Sequence, residues 1–122
     1  MAVSSGLTDF VKELMAPLGP VSARRMFGGA GIFADGLMIA LIAGDVLYLK
    51  ADDRNRPAFE AEGCAPFTYE AKNGKRAVMS YWQVPERLFD EPDEFAAWAR
   101  DALGAALRAD AAKPASKRKG RT

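Results

Sequence analysis

Basic and aromatic residues are interleaved between positions 69 and 82, and this mixture is the pattern that comes closest to a binding chemistry. Aromatic rings can stack on nucleic-acid bases while lysine and arginine side chains bind phosphates. The rings belong to Tyr69, Tyr81 and Trp82, and the cations are Lys72, Lys75 and Arg76. The alternative is an ordinary pair of strands, since aromatic residues favour strands and lysines commonly protect an exposed sheet edge.

A second group of positive charges lies near the C-terminus. From position 113 onward the chain has five basic residues and no acidic residue, namely Lys113, Lys117, Arg118, Lys119 and Arg121. The preceding 112 residues carry a net charge of −4, although the whole chain has a net charge of +1. The clustered charges would add a weak, salt-dependent attraction to nucleic acid. The alternative is a solubilising tail, and we expect residues 111–122 to be disordered because they lack apolar periodicity.

The residue types that most often carry catalysis or bind metals are scarce. The chain has no histidine, which excludes Ser–His and Cys–His pairs and the common zinc sites. We interpret the single cysteine, Cys64, as a small buried hydrophobic residue. The Gly29-Ala30-Gly31 segment begins like a dinucleotide-binding motif, but Ala34 stands where its third glycine would be. We therefore predict no enzyme activity, no catalytic residue, no cofactor and no metal site.

Three features predict a cytoplasmic location. A single cysteine cannot form an internal disulfide, which favours a reducing compartment. The N-terminal segment has neither the basic region nor the apolar region of a signal peptide. The longest apolar run, Leu37–Ala43, is far shorter than the roughly 20 residues that a membrane-spanning helix needs.

Glycine-containing turns divide the segment from Val21 to Lys50 into short strands. Asp35-Gly36 and Gly44-Asp45 each lie between apolar runs, and such pairs supply the positive φ angles of tight hairpins. Three further glycines cluster upstream, at Gly28, Gly29 and Gly31. Their density predicts a bend, a bulge or a close approach of two backbones.

Arg24 and Arg25 are neighbours in the first of these strands and must therefore point to opposite faces of the sheet. One of them shares a face with large apolar residues. Our favoured interpretation is a partly buried arginine whose head group has a partner, because a buried charge needs one. The functional alternative is a contact with an anion or with nucleic acid.

Helical periodicity marks both ends of the chain. In the first segment the apolar residues recur at the spacing of one helix face: Leu7, Phe10, Val11, Leu14, Met15 and Leu18. A second, short helix is expected from Arg54 to Glu62, with Asp52 or Asp53 as its N-cap and Gly63 as its stop. A third helix follows an acidic segment and is expected to end at about Arg108.

Two more strands complete the expected fold. They are Pro66–Ala71 and Arg76–Val84, with an Asn73-Gly74 turn between them. The element order is one helix, three or four strands, a helix, two strands and a helix. Short hairpins imply an antiparallel sheet of five to six strands with helices packed on it, which is a two-layer α+β domain. We expect this domain to span residues 1–110 and the basic tail to span residues 111–122.

Two blocks of sequence carry a family resemblance. The first is RRMFGGAGIF at positions 24–33, followed by Asp35-Gly36 and by LYLK at positions 47–50. The second combines Gly63-Cys64 with PFT at positions 66–68 and with the later Tyr81-Trp82 pair. Together they resemble the N-terminal domain of the TfoX/Sxy competence regulators, over roughly residues 7–108.

This resemblance implies an α+β domain with a topology similar to that of the type III secretion chaperones. It also implies a non-enzymatic role in regulation or protein–protein interaction. Long family members are bacterial regulators thought to act with the cyclic-AMP receptor protein, and they carry a C-terminal helical domain that we do not expect in this chain. No catalytic residue is carried over from the family.

We expect a protein partner, with a transcription factor such as the cyclic-AMP receptor protein as the first candidate. The expected partner surface consists of Arg24, Arg25, Gly28, Gly29, Gly31, Lys50 and Tyr81. Direct nucleic-acid binding is the alternative, with contacts from Lys72, Lys75, Arg76, Lys117, Arg118, Lys119 and Arg121. A homodimer formed by edge strands is also open, and an enzyme would require a deep pocket lined by charged residues.

Overall fold

A six-stranded antiparallel sheet forms the centre of the molecule, and helices pack on it. The computed structural model describes residues 5–26, 29–70, 74 and 76–113; for residues 5, 26, 69, 70 and 76–79 it describes the backbone alone. The strands are β1 (Ser22–Met26), β2 (Gly29–Ala34), β3 (Leu37–Ala43), β4 (Val46–Lys50), β5 (Pro66–Glu70) and β6 (Arg76–Gln83). The helices are α1 (Ser5–Leu14), α2 (Arg56–Ala61) and α3 (Pro92–Ala111). Short 3₁₀ turns cover Ala16–Leu18 and Glu86–Asp90.

The strand order across the sheet is β1-β2-β3-β4-β6-β5, so β1 and β5 are its edges. Two predicted hairpin turns connect the first half. Asp35 and Gly36 have φ angles of 52° and 77°, and Gly44 and Asp45 have φ angles of 57° and 59°. Positive φ at both central residues is the backbone that matches the twist of a two-residue hairpin. The predicted α+β class and both turns are therefore confirmed.

The hydrophobic core lies between one face of the sheet and the helices. Helix α3 contacts β3 and β4 through a buried face of Phe95, Ala99, Ala102 and Ala106. These alanines let the helix axis approach the strands, because they leave little side chain in between. In α1, Val11 and Leu14 are buried and Leu7 is partly buried, but Phe10 is 40% exposed. The prediction of a buried apolar face on α1 is thus correct for Val11 and Leu14 and wrong for Phe10.

A β-bulge in β3 changes which of its residues face the helices. Ile32 pairs with Ala40, whereas Phe33 pairs with Met38, so Ile39 is an extra residue without a direct partner in β2. Ile39 and Ala40 are consecutive in the chain, yet both are fully buried in the core. Strict alternation could not place both there, since neighbouring side chains in a regular strand point to opposite faces.

A close approach of two backbones explains one glycine of the predicted cluster. A Cβ atom added to Gly29 would overlap with the carbonyl oxygen of Ile42 in β3. Only glycine therefore fits at the start of β2. The sequence predicts a bend, a bulge or a close approach of two backbones, and the close approach is found at Gly29. Gly31 lies inside β2 as a regular strand residue. Gly28 lies outside the described residues.

The boundaries of all three helices differ from the predictions, and α1 ends at Leu14, before Met15 and Leu18 of its predicted face. Helix α2 begins at Arg56 rather than Arg54, and Asn55 is its N-cap residue instead of Asp52 or Asp53. Asp52 is drawn into other contacts, described below. Helix α3 continues three residues past Arg108 to Ala111. The predicted stop after α2 is correct, because Gly63 has a φ angle of +75°.

Candidate functional site

The two neighbouring arginines of the predicted partner surface lie on the edge strand β1, and both are exposed. The expectation of a partly buried arginine is therefore wrong. The physical reason is the position of β1 at the end of the sheet, where solvent reaches both faces. Arg24 pairs with Gly31 and Arg25 pairs with Ala30, which faces the helices. The two side chains thus leave opposite faces of the sheet, as the sequence predicts.

Arg24 is held over an aromatic ring on the face away from the helices. Its guanidinium carbon lies 5.6 Å from the centre of the Phe33 ring, within the range of a cation–π interaction. Gly31 lies opposite Arg24 in the ladder and carries no side chain between the two groups. This contact restricts the conformation of the Arg24 side chain, while the residue remains exposed to solvent.

The face away from the helices has a continuous row of cross-strand neighbours. The row runs across five strands through Arg24, Gly31, Leu41, Tyr48 and Gln83. The Tyr48 ring packs edge-to-face on Phe67, with 5.0 Å between the ring centres. Aromatic pairs of this geometry contribute about 0.5–1.5 kcal/mol beyond the burial of their surface.

Two other predicted residues, Lys50 and Tyr81, are cross-strand partners at the end of β4. The Lys50 Nζ atom lies 5.1 Å from the centre of the Tyr81 ring and donates a 2.7 Å hydrogen bond to Ser80 Oγ. The Tyr81 hydroxyl donates a 3.2 Å hydrogen bond to the carbonyl oxygen of Met38. Tyr81 is only 6% exposed, and burial raises the pKa of its hydroxyl to about 12.

Lys50 and Tyr81 line a cavity of about 340 Å³ at the end of the sheet, beside the β2–β3 turn and the last turns of α3. Its walls include Phe33 from β2, Met38 from β3, and Asp110 and Lys113 from the end of α3. Phe33 thus lies next to Arg24 and lines the same cavity as Lys50 and Tyr81, whereas Arg25 lies on the other face of the sheet.

The position of Lys50 depends on the loop that follows it. Asn55 Nδ2 donates a 3.0 Å hydrogen bond to the Lys50 carbonyl oxygen, and Asn55 Oδ1 accepts a 2.7 Å hydrogen bond from the Asp52 backbone nitrogen. Asn55 is buried and was not among the predicted site residues. Burial lowers the pKa of the Lys50 ammonium, and the nearby charge of Lys113 lowers it further, while Asp52 acts in the opposite direction.

Among the described residues, no group of three or more histidine, cysteine, aspartate or glutamate side chains could hold a metal ion. Cys64 is partly buried, and desolvation, followed by the charge of Glu62, raises the pKa of its thiol. A raised pKa keeps the sulfur protonated and weakly nucleophilic.

Acidic residues at the start of α3 have a structural role. Arg87 donates hydrogen bonds to the carboxylates of Glu62, Glu91 and Glu94, with N···O distances from 2.6 to 3.2 Å. This cluster ties the end of α2 to the beginning of α3. The N-cap residue Glu91 makes no side-chain capping hydrogen bond, and its carboxylate forms an ion pair with Arg87 instead.

The predicted nucleic-acid contacts fall largely outside the described residues. These are Lys72, Lys75, Lys117, Arg118, Lys119 and Arg121, while Arg76 is described only as backbone in β6. Two of the three rings expected to stack bases can be placed. Tyr81 is buried, and the Trp82 ring centre lies 6.2 Å from that of Phe59 on the core side. These two rings therefore present little free surface for a base.

A smaller apolar cavity of about 170 Å³ lies at the opposite end of β4. Leu7 and Phe10 of α1 line it together with Phe89, and the Phe10 and Phe89 ring centres are 6.0 Å apart. The partial exposure of Phe10 is explained by this position at the rim. Among the described residues, no helix has both the length and the apolar character needed to cross a bilayer.

Comparisons with known proteins show the family of this chain. The model of the TfoX N-terminal domain matches residues 13–106. The chain is 30% identical over 95 residues to DNA transformation protein TfoX1 of Aliivibrio fischeri, covering 78% of this chain and 43% of that protein. It is 26% identical over 97 residues to Protein Sxy of Escherichia coli, covering 80% of this chain and 46% of that protein. The chain thus spans a little under half the length of these relatives, and it belongs to the TfoX N-terminal domain family.

Proposed function

We propose that this chain is a non-enzymatic, cytoplasmic regulatory module that acts by binding a protein partner along β1. The observation that carries this proposal is the position of two exposed arginines on an edge strand, one on each face of the sheet. The family assignment is consistent with a regulatory role, since the similar proteins are named DNA transformation protein and Sxy.

The edge of β1 offers backbone groups to a partner strand. On one side β1 pairs with β2, and among the described strands none lies on its other side. Edge strands of this kind can accept an extended peptide, because their outer N–H and C=O groups lack a ladder partner. Side chains above and below the added strand then decide which peptide is selected.

Charge favours an acidic segment as the added strand. Arg24 and Arg25 would flank it from the two faces, so carboxylates at successive positions could meet both guanidinium groups. A second copy pairing antiparallel through β1 would instead bring its own Arg24 and Arg25 close to these arginines. Like charges directly opposite each other destabilise a strand pair. The β1 edge therefore favours a different, acidic partner over a homodimer.

NMR titration with a charge-reversed variant tests this proposal. The cyclic-AMP receptor protein is added to the labelled chain, and the amide signals of residues 22–25 are expected to shift. The variant R24E/R25E should lose the shifts, while the control R54E/R100E, which reverses two exposed arginines elsewhere, should keep them. The proposed surface would be contradicted if the amide signals of β1 did not shift, or if the same shifts were seen with R24E/R25E.

A parallel titration with duplex DNA addresses the alternative. Direct binding through the basic tail predicts an affinity that falls steeply with salt concentration and is lost when residues 113–122 are deleted. Under the protein-partner proposal, DNA leaves the β1 signals unchanged. Sedimentation of the free chain completes the comparison, because the charge argument predicts that R24E/R25E does not reduce any self-association.

A further inference from the structure

We propose that the cavity between the end of α3 and the β4 terminus binds a small organic monoanion with an apolar body, such as an aromatic carboxylate. In this arrangement Lys50 and Lys113 face the carboxylate, and Phe33 with Ala106 contacts the body of the ligand. The proposal does not use the outer edge of β1, so its tests are independent of the tests of the proposed partner surface.

The size and lining of the cavity suit a compact ligand. A volume of about 340 Å³ is at the lower end of the range for small-molecule sites, roughly 300–1,000 Å³. Apolar walls come from Phe33, Leu37 and Met38 on the sheet side. On the helix side, Ala106 and Ala109 line the cavity with methyl groups alone.

The charges around the cavity select an anion of low charge. Lys50 and Lys113 contribute two positive charges, and Asp110, which is 5% exposed, contributes one negative charge. The C-terminal end of α3 adds a partial negative charge, equivalent to about half an elementary charge at most. The net positive charge that remains attracts one carboxylate and is too small to neutralise a dianion such as a phosphate monoester.

The Lys50 ammonium is oriented before any ligand arrives. An ammonium group has three N–H donors. One donates to Ser80 Oγ, and the group also lies over the Tyr81 ring, so hydrogen-bonding capacity remains for a carboxylate oxygen. The hydrogen bond from Asn55 to the Lys50 carbonyl fixes the backbone at this position. Burial and the charge of Lys113 destabilise the ammonium, and a bound carboxylate would offset both effects.

Methionine methyl NMR can test this inference with a matched pair of probes. Benzoate and the neutral benzamide have nearly the same shape and differ in charge. Benzoate is expected to shift the methyl signal of Met38, which lines the cavity, and to leave Met15, which is fully buried in the core, unchanged. Benzamide should bind at least about fivefold more weakly, because it lacks the interaction with an ammonium group.

Variants separate the cavity from general charge effects. K50Q is expected to weaken benzoate binding by about fivefold or more, whereas K12Q, which removes a lysine from α1, should leave it unchanged. K113Q provides a second test at an exposed position, where folding is not at risk. An unmoved Met38 signal would overturn the proposal. Equal binding of the two probes, or equal binding by wild type, K50Q and K113Q, would also overturn it.

Discussion

Arg108 near the end of α3 and Asp52 after β4 form a two-point ion pair, although they are 56 residues apart in the chain. Arg108 Nε lies 2.6 Å from Asp52 Oδ2, and Arg108 Nη2 lies 2.9 Å from Asp52 Oδ1. Asp52 Oδ1 also accepts a hydrogen bond from the Arg54 backbone nitrogen. This pair joins the two elements that border the larger cavity, so it helps to set the distance between them.

Replacing this carboxylate should weaken the fold. D52N is expected to lower the free energy of unfolding by about 1 kcal/mol, a value limited by the partial exposure of both side chains. The matched control is D53N, since Asp53 is 90% exposed and pairs with Arg56, three residues further along the chain. Chemical denaturation of the two variants measures the difference. Equal stability of D52N and wild type would contradict a structural role for the pair.

The same ion pair predicts a pH dependence. Hydrogen bonding to Arg108 is the main cause that lowers the pKa of Asp52 from 3.8 to about 2. A carboxylate with a lowered pKa in the folded state binds protons more readily when unfolded, so its contribution is present above about pH 4. It is lost as the pH falls towards 2. The difference in stability between wild type and D52N should therefore shrink between pH 4 and pH 2.

The second prediction concerns the close approach of β2 and β3. G29A is expected to lower the free energy of unfolding by about 2–3 kcal/mol, because the added Cβ would overlap with the Ile42 carbonyl and must push the strands apart. G63A is the control, since its Cβ meets no atom within 4 Å and only the φ angle of +75° opposes it. That conformational cost is about 1 kcal/mol. Denaturation that finds G29A no less stable than G63A would contradict the overlap.

The third prediction concerns Arg87 and its three glutamates. R87Q leaves Glu62, Glu91 and Glu94 close together without a positive charge, so their repulsion should lower the melting temperature. The loss should be larger than that of R100Q, which changes an exposed arginine of α3. Added salt should reduce the difference, since it screens repulsion between exposed carboxylates. A melting temperature of R87Q that equals that of R100Q at low salt would count against the cluster.

Local chemistry explains why much of the fold could be predicted. The two hairpin turns depend on Asp35-Gly36 and Gly44-Asp45, whose backbone preferences act over only four residues. The strands between them follow from apolar runs of the right length. The bulge at Ile39 could not be predicted in the same way, because it is a shift in the pairing of β2 with β3, and Leu37–Ala43 forms an uninterrupted apolar run in the sequence.

The candidate site was harder to predict than the fold, for the same physical reason. Lys50 and Tyr81 were identified as candidate residues, but their cavity exists only because the end of α3 lies against β4. Asn55 was missed, since a buried amide that binds two backbone groups resembles any loop asparagine in the sequence. The Asp52–Arg108 pair joins distant segments, and only the folded chain brings them together.

The last prediction concerns the hydroxyl of Tyr81, which connects β6 to β3. Y81F removes the hydrogen bond to the Met38 carbonyl and should lower the free energy of unfolding by about 1 kcal/mol. Burial raises the pKa of Tyr81 to about 12, above its ordinary value of 10.0. The unfolded chain therefore loses this proton first, so stability is complete below pH 10 and falls as the pH rises towards 12. Absorbance titration should show a phenolate signal near pH 12 that Y81F lacks, and a wild-type chain without this late step would contradict the buried position of Tyr81.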